Sequence, residues 1–322
     1  MDDLILAAVV VVGIPAVLVG YILLTEQILK VFPERRRARV RPWLWLLPAL
    51  AFLFVFLVYP AIGTFIDSFK DRRSGDFVGL ANYQYVFGSP DVLGAIKNNI
   101  LWLVLFTGLT VGFGLAIAIL VDRVRYESTA KSVIFIPLAI SFVAAGVIWQ
   151  TVYAFQPAGQ PQTGPLNAII TTFGADPISF VRNATTGTFA LIIVGVWIWT
   201  GFAMVILSAG LKGISAELLE AARVDGANEW HVFRHIILPL LMPTIAVVAT
   251  TMVITALKAF DIVYVMTNGA FDTEVLANRM YQELFSFSQF GRAAAIAVVL
   301  MLAIAPLMIA NVRRFREQEA LR

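Results

Sequence analysis

The chain of 322 residues predicts an all-α membrane protein, and three observations carry that prediction. Hydrophobic residues make up 59% of it and charged residues only 14%, with a mean hydropathy of +0.83. Soluble domains carry about 25% charged residues, so this chain has too few to coat a water-soluble shell. Seven runs free of Asp, Glu, Lys, Arg and His each approach or exceed the roughly 20 residues that cross a bilayer as helix. The runs are continuous rather than alternating in polarity, which marks helices rather than barrel strands.

The spans follow in order. Residues 4–25 form the first. A cleavable signal needs a basic start, but this chain begins Met1-Asp2-Asp3, and its basic cluster, Arg35, Arg36, Arg37, Arg39 and Arg41, comes afterwards. The run therefore reads as a retained helix with its N-terminus outside, a removed signal being the alternative. The second span is 43–66 and the third 98–121. The fourth occupies the apolar part of 132–154 and the fifth 188–210. The sixth begins at 236 and is expected to continue past Lys258 and Asp261 to Met266. The seventh is 293–312. Between the fourth and fifth lies a loop with Pro157, Pro161, Pro165 and Pro177, expected to be irregular and external with one short helix at 166–173. The organisation expected is an N-terminal helix with a basic linker over 1–42, a membrane domain over 43–315 and a tail over 316–322.

Basic residues orient the bundle. Sixteen of the 24 Lys and Arg fall in the set 30–42, 122–131, 212–237 and 313–322, against seven in the alternate set of loops, with Lys258 inside a span. The first set is therefore expected inside, with the C-terminus.

Enzyme chemistry finds little footing. No cysteine is present, which excludes thiolate metal sites, disulfides and a Cys nucleophile. None of the six lysines follows a glycine, so the Gly-Lys-Ser/Thr phosphate loop is missing. His231 and His235 share a helical face but lack the adjacent Glu of a metalloprotease, and read as polar residues of a cytoplasmic helix. No metal ligand set and no nucleophilic elbow are expected.

The informative loop is 217–243, ELLEAARVDGANEWHVFRHIILPLLMP. It predicts two short helices. Ser215 is placed to cap the first, with acidic Glu217 in its opening turn. Ala221 and Ala222 are small enough for close packing, and Gly226 supplies a sharp turn. The second helix is expected at Ala227 to His235, with Ala227, Trp230, Phe233 and Ile237 making an apolar stripe. Pro239 marks the start of the sixth span. Such a stripe suits either packing under the bundle or a helix-in-groove contact with a partner.

The pattern Glu220-Ala221-Ala222, three residues, Gly226, nine residues, Ile236-x-Leu238-Pro239 resembles the EAA loop of permease subunits of bacterial ABC importers. Asp225-Gly226-Ala227 resembles the carbohydrate permeases related to the maltose transporter. Residues 260–269 and 291–315 are similar to its alpha-glucoside branch, and an extra first helix fits that branch too. The resemblance implies a type I importer transmembrane fold of six core helices plus one. It implies a second permease subunit, two cytoplasmic ATPases that carry the ATP and Mg, and an external sugar-binding protein, in the bacterial inner membrane. No cofactor is expected on this chain itself. Glu220, Ala221, Ala222, Asp225, Gly226, Ala227, Trp230, Phe233 and Pro239 would couple it to the ATPase, with Trp230 and Phe233 anchoring and Glu220 pairing with a basic group. The first external loop, 67–98, is too short for the large external domain of the enteric maltose permease.

A substrate path is expected along the fourth to sixth spans, at Ser141, Trp199, Phe202 and Thr255. Lys258 and Asp261 lie three apart, hence on one face of the sixth span, and must pair or face an aqueous cavity. Alternatives keep the architecture with glycerol phosphate, a polyol or an osmolyte as cargo, or invoke an ion-coupled secondary transporter. The latter needs membrane carboxylates, and Asp261 is the only one in the spans.

Overall fold

The computed structural model describes residues 2–122 and 124–320, and they are almost entirely helical. Six helices are long and apolar enough to cross a bilayer, or seven if one bent pair counts as a span. Two compact units divide the chain, Met1–Thr64 and Phe65–Arg322.

In the first unit, helix Asp2–Val31 is followed by helix Glu34–Leu53. The basic segment expected as a linker is thus helical from Glu34 onward. Within this unit Arg41 reaches Glu26 at 3.1 Å, an exposed ion pair, and the Tyr21 hydroxyl donates to the Leu44 carbonyl.

The second unit is built around helix Gly187–Lys212, the fifth span. In its most apolar stretch 67% of residues are buried, against 28% for Pro90–Val121 and 35% for Phe290–Ala310, which makes it the axis of the bundle. Leu191, Ile198, Met204 and Leu207 supply its core face. Pro90–Val121 lies along it. That helix begins two turns before the expected start because Ser89 and Pro90 provide an extended cap and a proline in the first turn.

Two expectations are corrected. The fourth span is not one helix: Glu127–Ala139 and Phe142–Val152 meet at 99°. Ile140 and Ser141 are extended at the corner, and Ser141 Oγ accepts the Ala144 N–H at 3.2 Å, so it starts a new helix. Pro137 lies just before the break, where its ring disfavours a continuing α-helix. Gly201 lets the first arm lie close on the central helix: a Cβ there would sit 2.4 Å from the Ile134 carbonyl oxygen. The sixth span, in turn, stops at Leu257. Lys258 closes it, Phe260 is outside helical geometry at φ −139°, and a separate helix, Asp261–Met266, follows. Lys258 and Asp261 therefore do not share one helical face.

The segments 67–98 and 267–292 are folded together rather than loose. Helix Ala81–Gly88 packs on the last helix. Asn98 Nδ2 donates to the carbonyls of Asp272 at 2.7 Å and Glu274 at 2.9 Å, and Asn99 accepts the Leu276 N–H at 2.8 Å. Glu283, 1% exposed, is met by Arg279 at 2.8 Å and the Tyr85 hydroxyl at 2.6 Å.

Candidate functional site: coupling loop and inner cavity

The loop after the central helix folds as its composition requires. Helix Ala216–Val224 carries Glu220, Ala221 and Ala222, and Asp225 closes it. Gly226 follows at φ +86°, a conformation that costs an L side chain. There the Gly226 N–H reaches the Arg223 carbonyl at 3.1 Å and the Ala227 N–H the Ala222 carbonyl at 3.0 Å. That hydrogen-bond pair is a Schellman close, with glycine in the left-handed position it needs. Ser215 occupies the N-terminal cap position, but its side chain accepts no bond from the helix.

The second helix differs from expectation. Its cap is Asn228, whose Oδ1 accepts the His231 N–H at 2.8 Å, so Ala227 lies before it. Nor does it stop at His235: from Glu229 it runs unbroken to Leu257 as the sixth span. The helix widens to π geometry over Phe233–Ile237, just ahead of Pro239, which cannot donate back along the helix. The separate short helix of the loop is therefore the first one.

The loop leaves apolar surface uncovered. Val224 is 86% exposed, Trp230 65% and Leu218 45%. The Trp230 and Phe233 rings are tilted against each other with centres 5.8 Å apart. Arg223 and Glu229 bridge the turn at 2.9 Å. Among the described residues Glu220 makes no ion pair. His231 and His235 stack at 4.4 Å, and no third metal-ligating side chain joins them among the described residues.

Four of the six expected substrate-path residues meet at one small cavity: Trp199, Thr255, Lys258 and Asp261. Breaking the sixth span is what turns Lys258 and Asp261 toward it. They form no ion pair with each other among the described residues. The Thr255 hydroxyl is spent on the Thr251 carbonyl at 2.9 Å. Phe202 is held edge-on to Trp199 at 5.5 Å, one layer behind the wall, and Ser141 is engaged in its cap beside Phe142. Sequence reasoning missed Trp102, Phe106, Phe142 and Phe260, which complete the aromatic lining. Trp102 and Phe106 are four apart on one face of the third span; that spacing was the available signal. The cavity encloses about 50 Å³, room for a few waters and not for a sugar ring.

A small aromatic cavity at a broken span, with an exposed loop about 20 Å away along the second half of the 26-residue central helix, fits a membrane translocation subunit. Residues 108–314 match the model of the binding-protein-dependent transport system inner membrane component family, and the chain belongs to that family. It is the permease component of an importer, and it resides in the inner membrane. It is 53% identical over 279 residues to the osmoprotective compounds uptake permease protein GgtC of Synechocystis sp., covering 87% of this chain and all of that one. It is 43% identical over 327 residues to the alpha-glucoside transport system permease protein AglF of Rhizobium meliloti, covering 97% of each. Its fold is that of a chain from a bacterial ABC transporter that imports the acidic polysaccharide alginate, with TM-score 0.75 at 23% identity over 88% of this chain and 98% of that one.

Proposed function

We propose that this chain is one half of a permease pair that takes up a neutral glycoside of the alpha-glucoside class, delivered by an external binding protein and driven by two cytoplasmic ATPases that hold the ATP and Mg. The observation that carries the reading is the loop 215–235, where Leu218, Val224 and Trp230 are uncovered and Glu220 makes no ion pair among the described residues. Exposed apolar clusters of this kind mark protein contacts. Trp230 and Phe233 anchor the loop in an ATPase groove, Glu220 meets a basic group there, and Gly226 sets the angle between the two helices. The Lys and Arg bias puts this loop and the C-terminus inside and the N-terminus outside.

Opened beyond the roughly 50 Å³ it has in this structure, the inner cavity would offer a neutral sugar aromatic faces for its C–H surface. The similarity to AglF supports the same class. A second reading, an osmolyte, is favoured by the similarity to GgtC and by the unpaired Lys258 and Asp261 on one wall. Uptake of labelled sucrose by cells carrying the complete system, challenged with glycine betaine, separates them: competition by other alpha-glucosides alone supports the first, and displacement by betaine the second.

A tagged pull-down from native membranes in mild detergent tests the architecture. Stoichiometric ATPase and a second permease are expected, and recovery of this chain alone sinks the reading. Trp230→Ala removes an interface aromatic of the kind worth about 2 kcal/mol or more, so ATPase recovery should drop at least tenfold.

A further inference from the structure

A second cavity opens at the end of the central helix opposite the coupling loop. Its walls are the end of Phe142–Val152, parts of the 153–182 loop and the segment 264–271, and it encloses about 700 Å³. Pockets for small molecules occupy roughly 300–1,000 Å³, so this cavity holds a saccharide where the inner one does not.

Its surface chemistry is specific. Phe155 and Phe271 stand in the wall at 39% and 47% exposure with no ring against them among the described residues, and Tyr264, stacked on Phe260 at 5.2 Å, presents its edge and hydroxyl at 40% exposure. Between them the side chains of Gln156, Ser179, Arg182 and Asn268 make no hydrogen bond or ion pair among the described residues. Uncovered aromatic faces beside unspent amide, hydroxyl and guanidinium groups match a ring with C–H faces and hydroxyl edges. No carboxylate lines the cavity, so a cationic group would find no counter-charge there.

The walls are built to stay in place. Phe271 is held at φ 59°, a strained conformation for a bulky residue, which persists only where its surroundings impose it. Asn98 supplies that restraint through Asp272 and Glu274. Across the cavity, buried Asn167 ties Ala154 to Ile178 through bonds of 3.0, 3.0 and 2.8 Å. The two cavities share one element. Helix Asp261–Met266 has Asp261 in the inner cavity and Tyr264 to Met266 in the outer one, a rise of roughly 8 Å from end to end.

We propose that the outer cavity is a second ligand site, which holds a neutral glycoside of two or three rings before it passes along Asp261–Met266 to the inner cavity. This rests on the glycoside reading above. The test is saturation-transfer NMR on the full-length protein in lipid nanodiscs, with sucrose and maltotriose as probes. Gln156→Ala with Arg182→Gln alters side chains that hold nothing else, and Phe155→Ala alters the facing wall. Each should weaken apparent affinity about three- to tenfold, whereas Trp199→Ala in the inner cavity should leave the signal in place. A signal lost in Trp199→Ala but untouched by the outer variants overturns the site and leaves the glycoside reading standing. Transfer to glucuronate in preference to sucrose overturns the neutral class. No transfer to either neutral sugar also overturns the site; sucrose uptake by cells with the complete importer then decides the glycoside reading separately.

Discussion

The two ends of the bundle are built on opposite principles. At the outer end, segments 67–98 and 267–292 are locked by buried polar groups: Asn82, Asn98, Asn99, Asn278 and Glu283 are all under 9% exposed. At the coupling end, the helix Ala216–Val224 buries no residue, and one exposed ion pair spans the turn. Buried polar groups are costly unless they find partners, and the bonds made here by Asn82, Asn98, Asn99 and Glu283 tie the two segments to one arrangement. The coupling end has no such ties and leaves Val224 and Trp230 uncovered.

Three variants sharpen or break this contrast. The largest effect is expected at the outer end. Glu283→Ala leaves Arg279, 15% exposed, with only the Tyr85 hydroxyl at 2.6 Å and Asp91 at 3.7 Å, and breaking a buried pair costs about 3–5 kcal/mol. Thermal unfolding of the detergent-solubilised protein should show a large loss; a wild-type midpoint would mean that the network is not what holds this end.

Gly226→Val comes next. A branched side chain in the left-handed region costs about 1–2 kcal/mol, and the space around Gly226 is open, so backbone geometry alone is altered. Membrane insertion should stay normal while sugar uptake per ATP hydrolysed falls about tenfold, in keeping with that cost. Normal uptake would break the assignment of this turn to coupling.

The smallest concerns Glu274. Burial pushes its carboxyl above the usual range, against the hydrogen bonds from Asn278 and the Val275 N–H that pull it down. A carboxyl raised in the folded state costs stability once pH exceeds its unfolded value, so stability from this group is lost as pH rises through and beyond the ordinary carboxylate range. Glu274→Gln should raise the thermal midpoint by a few degrees at pH 8 and leave it unchanged at pH 4. An equal gain at both would point to packing instead of charge.

The spans were legible because lipid demands unbroken apolar length, and composition reports that directly. The turn at Gly226 was legible for a similar reason: a left-handed close needs glycine, and the spacing exposes it. The two breaks were not. Residues 132–154 and 236–266 read as continuous because a helix that bends at Ile140 and Ser141, or stops at Lys258, is no less apolar than one that runs on. The two charges at 258 and 261 were the visible sign of the second break, and Pro137 with Ser141 of the first. Trp102, Phe106, Phe142 and Phe260 escaped notice because an aromatic facing a cavity and one facing lipid look alike in sequence. Glu283 escaped because a segment with charges reads as a solvated loop until its partners, nearly 200 residues away at Tyr85, are brought to it.

The elbow at Ala139–Phe142 has a consequence for how the chain enters the membrane. Its arms of 13 and 11 residues span roughly 20 and 17 Å, while the hydrocarbon core is about 30 Å thick. A nascent chain that ends before Gly187 thus offers the bilayer two half-lengths at a right angle, neither able to cross. The first arm gains its close neighbour at Ile134 and Phe135 only when Gly201 arrives on the next helix. Neither arm is long enough to count as a crossing by itself, so the fourth span is complete as a membrane element only together with the central helix on which its first arm rests.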